Sequence, residues 1–285
     1  MFYNLLYLVP KNWLSRAVGR AVERRWPFGL HRMIRNAMIR AFKPVVEEAQ
    51  HPLEHYQTWA EFFTRRLSPG ARPLGSGPLV CPVDGMLTQR GRLGGAGEEL
   101  VQVKGVRYAL RDLFPGWDPA PYRGGAFLTV YLAPWNYHRI HAPADCDVLR
   151  VRHEPGALWP VNAWSVRSIR GLFVRNDRVN VEMEAPLAGG GKLRMALSLV
   201  GATNVGRTTL AFSGLTGNPR GVRAAREETP SPAVRLSKGA ELACFEMGST
   251  IVLVLDLVGA ELLRPGLLDA ADAVPVRMGE DFTAT

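Results

Sequence analysis

The sequence predicts an α+β protein in which N-terminal amphipathic helices precede a mainly antiparallel β domain of sandwich or barrel type. Two observations carry this. In the first 45 residues apolar side chains recur at helical offsets, whereas from about residue 75 they come in short or alternating runs separated by Gly, Pro and Asp. A chain of 285 residues, 47% hydrophobic and 21% charged, has room for one large core and a smaller helical appendage. The boundary is expected near residue 70, with a helical segment over 1–70 and a β-rich unit over 71–285.

The elements follow in chain order. From Asn12 to Arg25 the apolar positions Leu14, Ala17, Val18, Ala21 and Val22 share one helical face, with Arg16, Arg20, Glu23 and Arg24 opposite. Pro27 breaks the helix. The same offsets return in Leu30, Met33, Ile34, Ala37 and Met38, with Arg32, Arg35 and Lys43 on the other side. Thr58 with Glu61 three residues on has the spacing of a capping box, and that short helix ends near Pro69-Gly70. Strands are then predicted over Phe127–Leu132, Arg178–Glu184, Leu193–Val200, Glu241–Glu246 and Ile251–Val258, with loop tips at Gly94–Gly97 and Gly189–Gly191.

The net charge of +9 is concentrated at one end, since residues 1–50 hold nine Lys and Arg against three Glu. Such an excess suits a polyanionic partner, either nucleic acid or an acidic membrane. Two basic amphipathic helices preceded by Phe2, Tyr3, Leu5, Leu6, Tyr7 and Leu8 suit the lipid interface, although both could instead pack on the β-rich unit. No aromatic stacking platform accompanies the charge, so nucleic acid is the weaker expectation. Cys81, Cys146 and Cys244 are too few and too dispersed for a disulfide framework or a Cys-x-x-Cys metal site, which points to a reducing compartment. No apolar run reaches the roughly 20 residues that span a bilayer, and Met1–Val9 lacks the features of a signal peptide.

Three stretches could carry chemistry. Met247-Gly248-Ser249-Thr250 lies between two strand-like segments and by composition is a turn. Tyr137-His138-Arg139-Ile140-His141 places two imidazoles three residues apart; in extended chain they face different ways, so separate tasks are expected rather than one metal site. A His-Glu-x-x-His zinc motif is absent. Asp84-Gly85 alone reads as a hairpin turn. Asp, His and Ser together can make a base-activated nucleophile, with the carboxylate orienting the imidazole that takes the hydroxyl proton.

Phe62-Phe63-Thr64-Arg65-Arg66-Leu67 with Arg72-Pro73, then Pro82-Val83-Asp84-Gly85, Tyr137-His138-Arg139-Ile140-His141, Gly201-Ala202-Thr203-Asn204-Val205-Gly206 and Gly248-Ser249-Thr250 resemble, in this order and over nearly the whole chain, the pyruvoyl-dependent phosphatidylserine decarboxylases. Met247 stands where that family usually has Leu, a volume-conserving exchange.

The resemblance implies that Asp84, His141 and Ser249 form a self-cleavage triad, in which Asp84 orients His141 and His141 takes the Ser249 proton so that its oxygen attacks the Gly248 carbonyl. Elimination from the resulting ester and hydrolysis would divide the chain into 1–248 and 249–285, leaving a covalent pyruvoyl group derived from Ser249. That group would form a Schiff base with the amine of phosphatidylserine and act as electron sink, the role of pyridoxal phosphate elsewhere. His138 is implied in protonation or decarboxylation, and Thr203-Asn204 in the pocket wall. No metal and no pyridoxal phosphate are implied. The implied partners are phosphatidylserine, an anionic membrane surface on the cytoplasmic side of the inner membrane, the two chains of the cleaved proenzyme and a homodimer; nucleic acid is not among them. Arg65, Arg66, Arg220 and Arg223 could bind headgroup phosphate or form a solvated face. Rival readings are a serine hydrolase using Asp84, His141 and Ser249, which lacks the Gly-x-Ser-x-Gly elbow of lipases, and a non-catalytic membrane-binding protein.

Overall fold

A computed structural model describes residues 11–94, 99–102, 106–203, 207–219, 221–246, 249–269 and 272–284. Its helices are α1 (Lys11–Glu23), α2 (Leu30–Phe42), α3 (Trp59–Phe63), α4 (Leu110–Leu113), α5 (Ala163–Ser168), α6 (Leu172–Arg175) and α7 (Leu257–Leu262). The strands are β1 (Gly85–Arg92), β2 (Glu99–Gln102), β3 (Val106–Ala109), β4 (Ala126–Leu132), β5 (Arg139–His141), β6 (Cys146–Glu154) and β7 (Arg178–Pro186). They continue with β8 (Lys192–Val200), β9 (Thr208–Leu210), β10 (Arg226–Glu228), β11 (Val234–Leu236), β12 (Glu241–Phe245), β13 (Ser249–Leu255) and β14 (Val274–Val276). The fold is α+β with a mainly antiparallel sheet, as predicted.

Among the described residues nine strands form one sheet in the order β10-β6-β7-β8-β13-β4-β1-β14, with β11 also on β6. A second sheet has the order β5-β12-β9. Strand β13 lies at the centre of the large sheet, paired with β4 and β8. Ile251, Leu253 and Leu255 join one apolar core, while Val252 and Val254 join the core on the other face. Burial on both faces explains why this strand reads as an unbroken apolar run instead of alternating. It ends earlier than predicted, at Leu255, because Asp256 caps α7 by accepting from Gly259 N at 2.8 Å; Leu257 and Val258 are helical.

The helices make a third apolar cluster. Trp59, Phe62 and Phe63 of α3 pack with Val22, Ala49 and Tyr56, and Val18, Ile34, Met38 and Phe42 lean on them. The capping box of α3 is present, with Thr58 Oγ1 accepting from Glu61 N at 3.2 Å. Two expectations for α2 need correction. Arg35 is buried rather than on the polar face, where its guanidinium donates to the carbonyls of Leu53 and Tyr56. The apolar stripe also divides: Ile34 and Met38 face inward, but Leu30 and Met33 are exposed, as is Phe28 just before the helix. Gly189 and Gly190 do occupy a turn, at φ +91° and +89°, whereas Gly95–Gly97 fall outside the described residues.

Candidate active site

Ser249 opens β13 directly across from Leu132, the last residue of β4. It is fully buried, and its Oγ has no hydrogen-bond partner among the described residues. The four residues expected to form a turn therefore divide: Ser249 and Thr250 are strand residues, and Met247 and Gly248 lie outside the described residues.

The loop from β4 to β5 brings His138 to the same end of the sheet. A tight turn starts it, with Asn136 N donating to Ala133 O at 2.9 Å and Ala133 N donating to Asn136 Oδ1 at 2.8 Å. At its far end Phe245 N donates to His138 O at 3.0 Å, which ties the loop to β12 four residues before Ser249. The His138 ring packs on Phe63 with centroids 3.9 Å apart. Nδ1 lies 2.9 Å from Asn136 O, and because a carbonyl only accepts, Nδ1 carries the hydrogen. Nε2 is left with a free lone pair, buried and without a partner among the described residues. Complete burial lowers the imidazole pKa to about 3, against the pull of the Asn136 hydrogen bond, so the ring is neutral at physiological pH.

A cavity of about 180 Å³ is lined by Leu132, which pairs with Ser249, and by Phe63, which packs on His138; Ser249 and His138 themselves are not in its wall. Phe42, Trp59, Tyr131, Pro134, Val161, Asn162, Ala202 and Thr203 complete a largely apolar wall. Thr203, expected in a pocket wall, lines this cavity; Asn204 is outside the described residues.

His141 and Asp84 sit elsewhere. His141 Nδ1 donates to Gly239 O at 2.7 Å and Nε2 is hydrogen-bonded to the Tyr137 hydroxyl at 2.9 Å, and burial depresses the imidazole pKa. Asp84 is not a hairpin residue. It lies at the entry to β1, buried, and its carboxylate accepts from Arg72 Nε at 2.9 Å, from a terminal Arg72 nitrogen at 2.5 Å and from Met278 N at 2.9 Å. Arg72 extends the network to Glu48 at 2.7 Å, and that hydrogen bond holds the Glu48 carboxyl below its usual range. Arg72, Met278, Tyr137 and His141 line one cavity of about 210 Å³, so Asp84 and His141 face a common space through Asp84's partners. No hydrogen bond joins Asp84 to His141 or His141 to Ser249 in this arrangement. Sequence reasoning assigned no role to Arg72 or Tyr137, although both fall in the quoted motifs; nothing in spacing reveals a contact between residues 72 and 84.

The four arginines separate as well. Arg65 is buried, not solvated, with its guanidinium carbon 4.5 Å from the centre of the Phe62 ring and its Nε unpaired among the described residues. Arg66 lines the His141 cavity, Arg223 is exposed and Arg220 is outside the described residues.

The family model described as phosphatidylserine decarboxylase matches residues 59–284. The chain belongs to the phosphatidylserine decarboxylase family. It is similar to the phosphatidylserine decarboxylase proenzyme of Halorhodospira halophila, at 40% identity over 96% of this chain and 90% of the relative. The proenzyme of an Anaeromyxobacter species is 40% identical over 98% and 96%, and that of Myxococcus xanthus 38% identical over 90% and 89%. The matched span of the decarboxylase model begins at α3 and takes in Asp84, His138, His141 and Ser249.

Proposed function

We propose that the chain is a proenzyme that cuts itself between Gly248 and Ser249 and then converts phosphatidylserine to phosphatidylethanolamine at a membrane surface. One observation carries the reading: within a chain matched along its length to decarboxylase proenzymes, a buried serine hydroxyl without a partner shares one end of the sheet with a buried neutral imidazole whose Nε2 is also free.

In self-cleavage Ser249 Oγ attacks the Gly248 carbonyl as its proton leaves, the acyl group moves from nitrogen to oxygen, elimination releases the Gly248 carboxylate and leaves dehydroalanine, and water hydrolyses that to the pyruvoyl group with loss of ammonia. His141 is assigned as the base with Asp84 as its orienting carboxylate. That assignment requires His141 to release the Tyr137 hydroxyl, because its basic nitrogen is occupied by it. The small cavity the two residues face leaves room for such a change.

The residues present fit a pyruvoyl group at position 249, since its precursor hydroxyl is aimed into no competing hydrogen bond and the adjoining wall is largely apolar. When formed, that group supplies the electron sink for loss of carbon dioxide. His138 is assigned to the protonation or decarboxylation step: its Nδ1–H is held on Asn136 O, which leaves Nε2 as the nitrogen turned to proton transfer. The apolar wall excludes water from that transfer.

The basic helices with exposed Phe28, Leu30 and Met33 support a peripheral location on an anionic surface, assigned to the cytoplasmic face of the inner membrane. No helix among the described residues is long and apolar enough to cross a membrane. A homodimer is compatible with this arrangement but is not needed for the chemistry.

Intact mass and phosphatidylserine turnover test the proposal. Wild type is expected as two pieces, Ser249→Ala and His141→Ala as single chains, and His138→Ala as two pieces without decarboxylation. A wild type that stays whole in native buffer overturns it.

A further inference from the structure

Two large indoles stand exposed on segments that line the 180 Å³ cavity, next to Pro134 and Asn162 of its wall: Trp135 is 51% exposed and Trp164 is 48% exposed. Trp is highly buried on average, so two half-exposed indoles on segments that line one cavity call for a reason. Their positions are fixed by residues of the cavity wall. Trp135 directly follows Pro134 on the turn pinned by Asn136. Trp164 lies in the first turn of α5, whose cap Asn162 is itself part of the wall and accepts from Ser165 N at 2.9 Å. On α5 Ser165 and Val166 face inward, which turns Trp164 and Arg167 outward together, and Arg170 is exposed just beyond. On a third segment of the wall, Phe42 is followed by exposed Lys43, and Arg40, two positions before Phe42, is exposed as well.

The charge around this rim has one sign. Residues 30–45, 133–136 and 157–175 contain no Asp or Glu, while Arg40, Lys43, Arg167 and Arg170 are all exposed. Indoles flanked by cations are the side chains that settle at the boundary between headgroups and acyl chains of an anionic bilayer. A nucleic acid would call for stacking platforms in a continuous groove, whereas these indoles stand at separate edges of an apolar cavity.

We infer that Trp135, Trp164, Arg167 and Arg170 of the β-rich unit, with Arg40 and Lys43 of α2 and its cap, form a bilayer-docking rim, so that the cavity lined by Leu132 and Phe63 opens against the lipid surface. The helical segment is then not the sole anchor. Docking at the rim brings the headgroup to the cavity without the lipid leaving the bilayer. The inference rests on the decarboxylase reading only for which lipid enters the cavity.

The test is sedimentation of the full chain with vesicles of phosphatidylcholine, and of phosphatidylcholine mixed with phosphatidylglycerol, an anionic lipid without the serine headgroup. Trp135→Ala/Trp164→Ala is expected to bind both kinds of vesicle roughly tenfold more weakly. Arg167→Glu/Arg170→Glu is expected to lose roughly tenfold on the anionic vesicles alone. The arginine pair contributes little packing, so its result stands even where the indole variant folds poorly. Unchanged affinity of the arginine pair for anionic vesicles overturns the rim, as does unchanged affinity of a well-folded indole pair for either kind. A wild type that binds these vesicles but remains one chain and releases no carbon dioxide would overturn the decarboxylase reading and leave the rim standing.

Discussion

His138 is neutral because the fold gives its imidazolium nowhere to be solvated, and this has a consequence for stability. Its pKa falls from 6.5 to about 3 on folding, so between those values the unfolded chain binds a proton that the native chain does not. The contribution of His138 is therefore complete above about pH 6.5 and is lost progressively as pH falls toward 3. Melting temperature should decline over that window in wild type and decline less in His138→Gln, measured by circular dichroism at fixed ionic strength. Arg72 poses the opposite case, a buried cation that two carboxylates need. Its removal leaves Asp84 buried and unpaired, which costs about 3 kcal/mol. Urea denaturation of Arg72→Ala should show a loss of that order; a loss below about 1 kcal/mol would mean that Asp84 finds another cation.

Among the elements, α3 links the helical segment to the site, because the same short helix packs Trp59 and Phe62 into the helical cluster and presents Phe63 to His138. Its five residues are too few to be stable by propensity, so the capping box matters. Thr58→Ala should cost about 1 kcal/mol in a denaturant titration. The loss should also relax the packing on His138 and lower turnover more than self-cleavage. Strand β1 is placed by close backbone approach: a Cβ on Gly85 would lie 2.5 Å from Tyr131 O of β4. Gly85→Ala should therefore push β1 from β4 and destabilise by about 1–3 kcal/mol, with Asp84 next to the displaced residue.

The molecule as a whole is built so that a cut before Ser249 need not release the new chain. From Ser249 to Leu255 β13 pairs with β4, and from Thr250 to Leu255 with β8, with apolar cores on both faces. Phe282 is fully buried and β14 adds a second attachment to the sheet through β1. The pieces 1–248 and 249–285 should co-elute in native size exclusion and separate only in denaturant; separation in native buffer would count against this. The basic helices give a further whole-molecule effect: binding to anionic vesicles should weaken as salt rises, because exposed charges are screened over about 10 Å at 0.1 M.

Much of this was legible in the sequence, since periodicity and capping depend on residues close together in the chain. The helical offsets of α1 and α2, the Thr58–Glu61 box and the doubly buried run of β13 are all local patterns, and the order of motifs was enough to indicate the family. The end of β13 was misplaced because apolar Leu257 and Val258 continue the run, and only the Asp256 cap turns them into a helix. Side-chain contacts were not legible, even between residues near in the chain. That Arg72 holds Asp84, that Tyr137 occupies His141, that Phe63 lies under His138 and that Arg65 is buried are decided by strand register and packing, which no spacing encodes. Chemistry needs residue types, and these the chain displays in order. Reactivity needs burial and hydrogen-bond partners, and these arise only when packing joins segments as far apart as those of Asp84 and Met278.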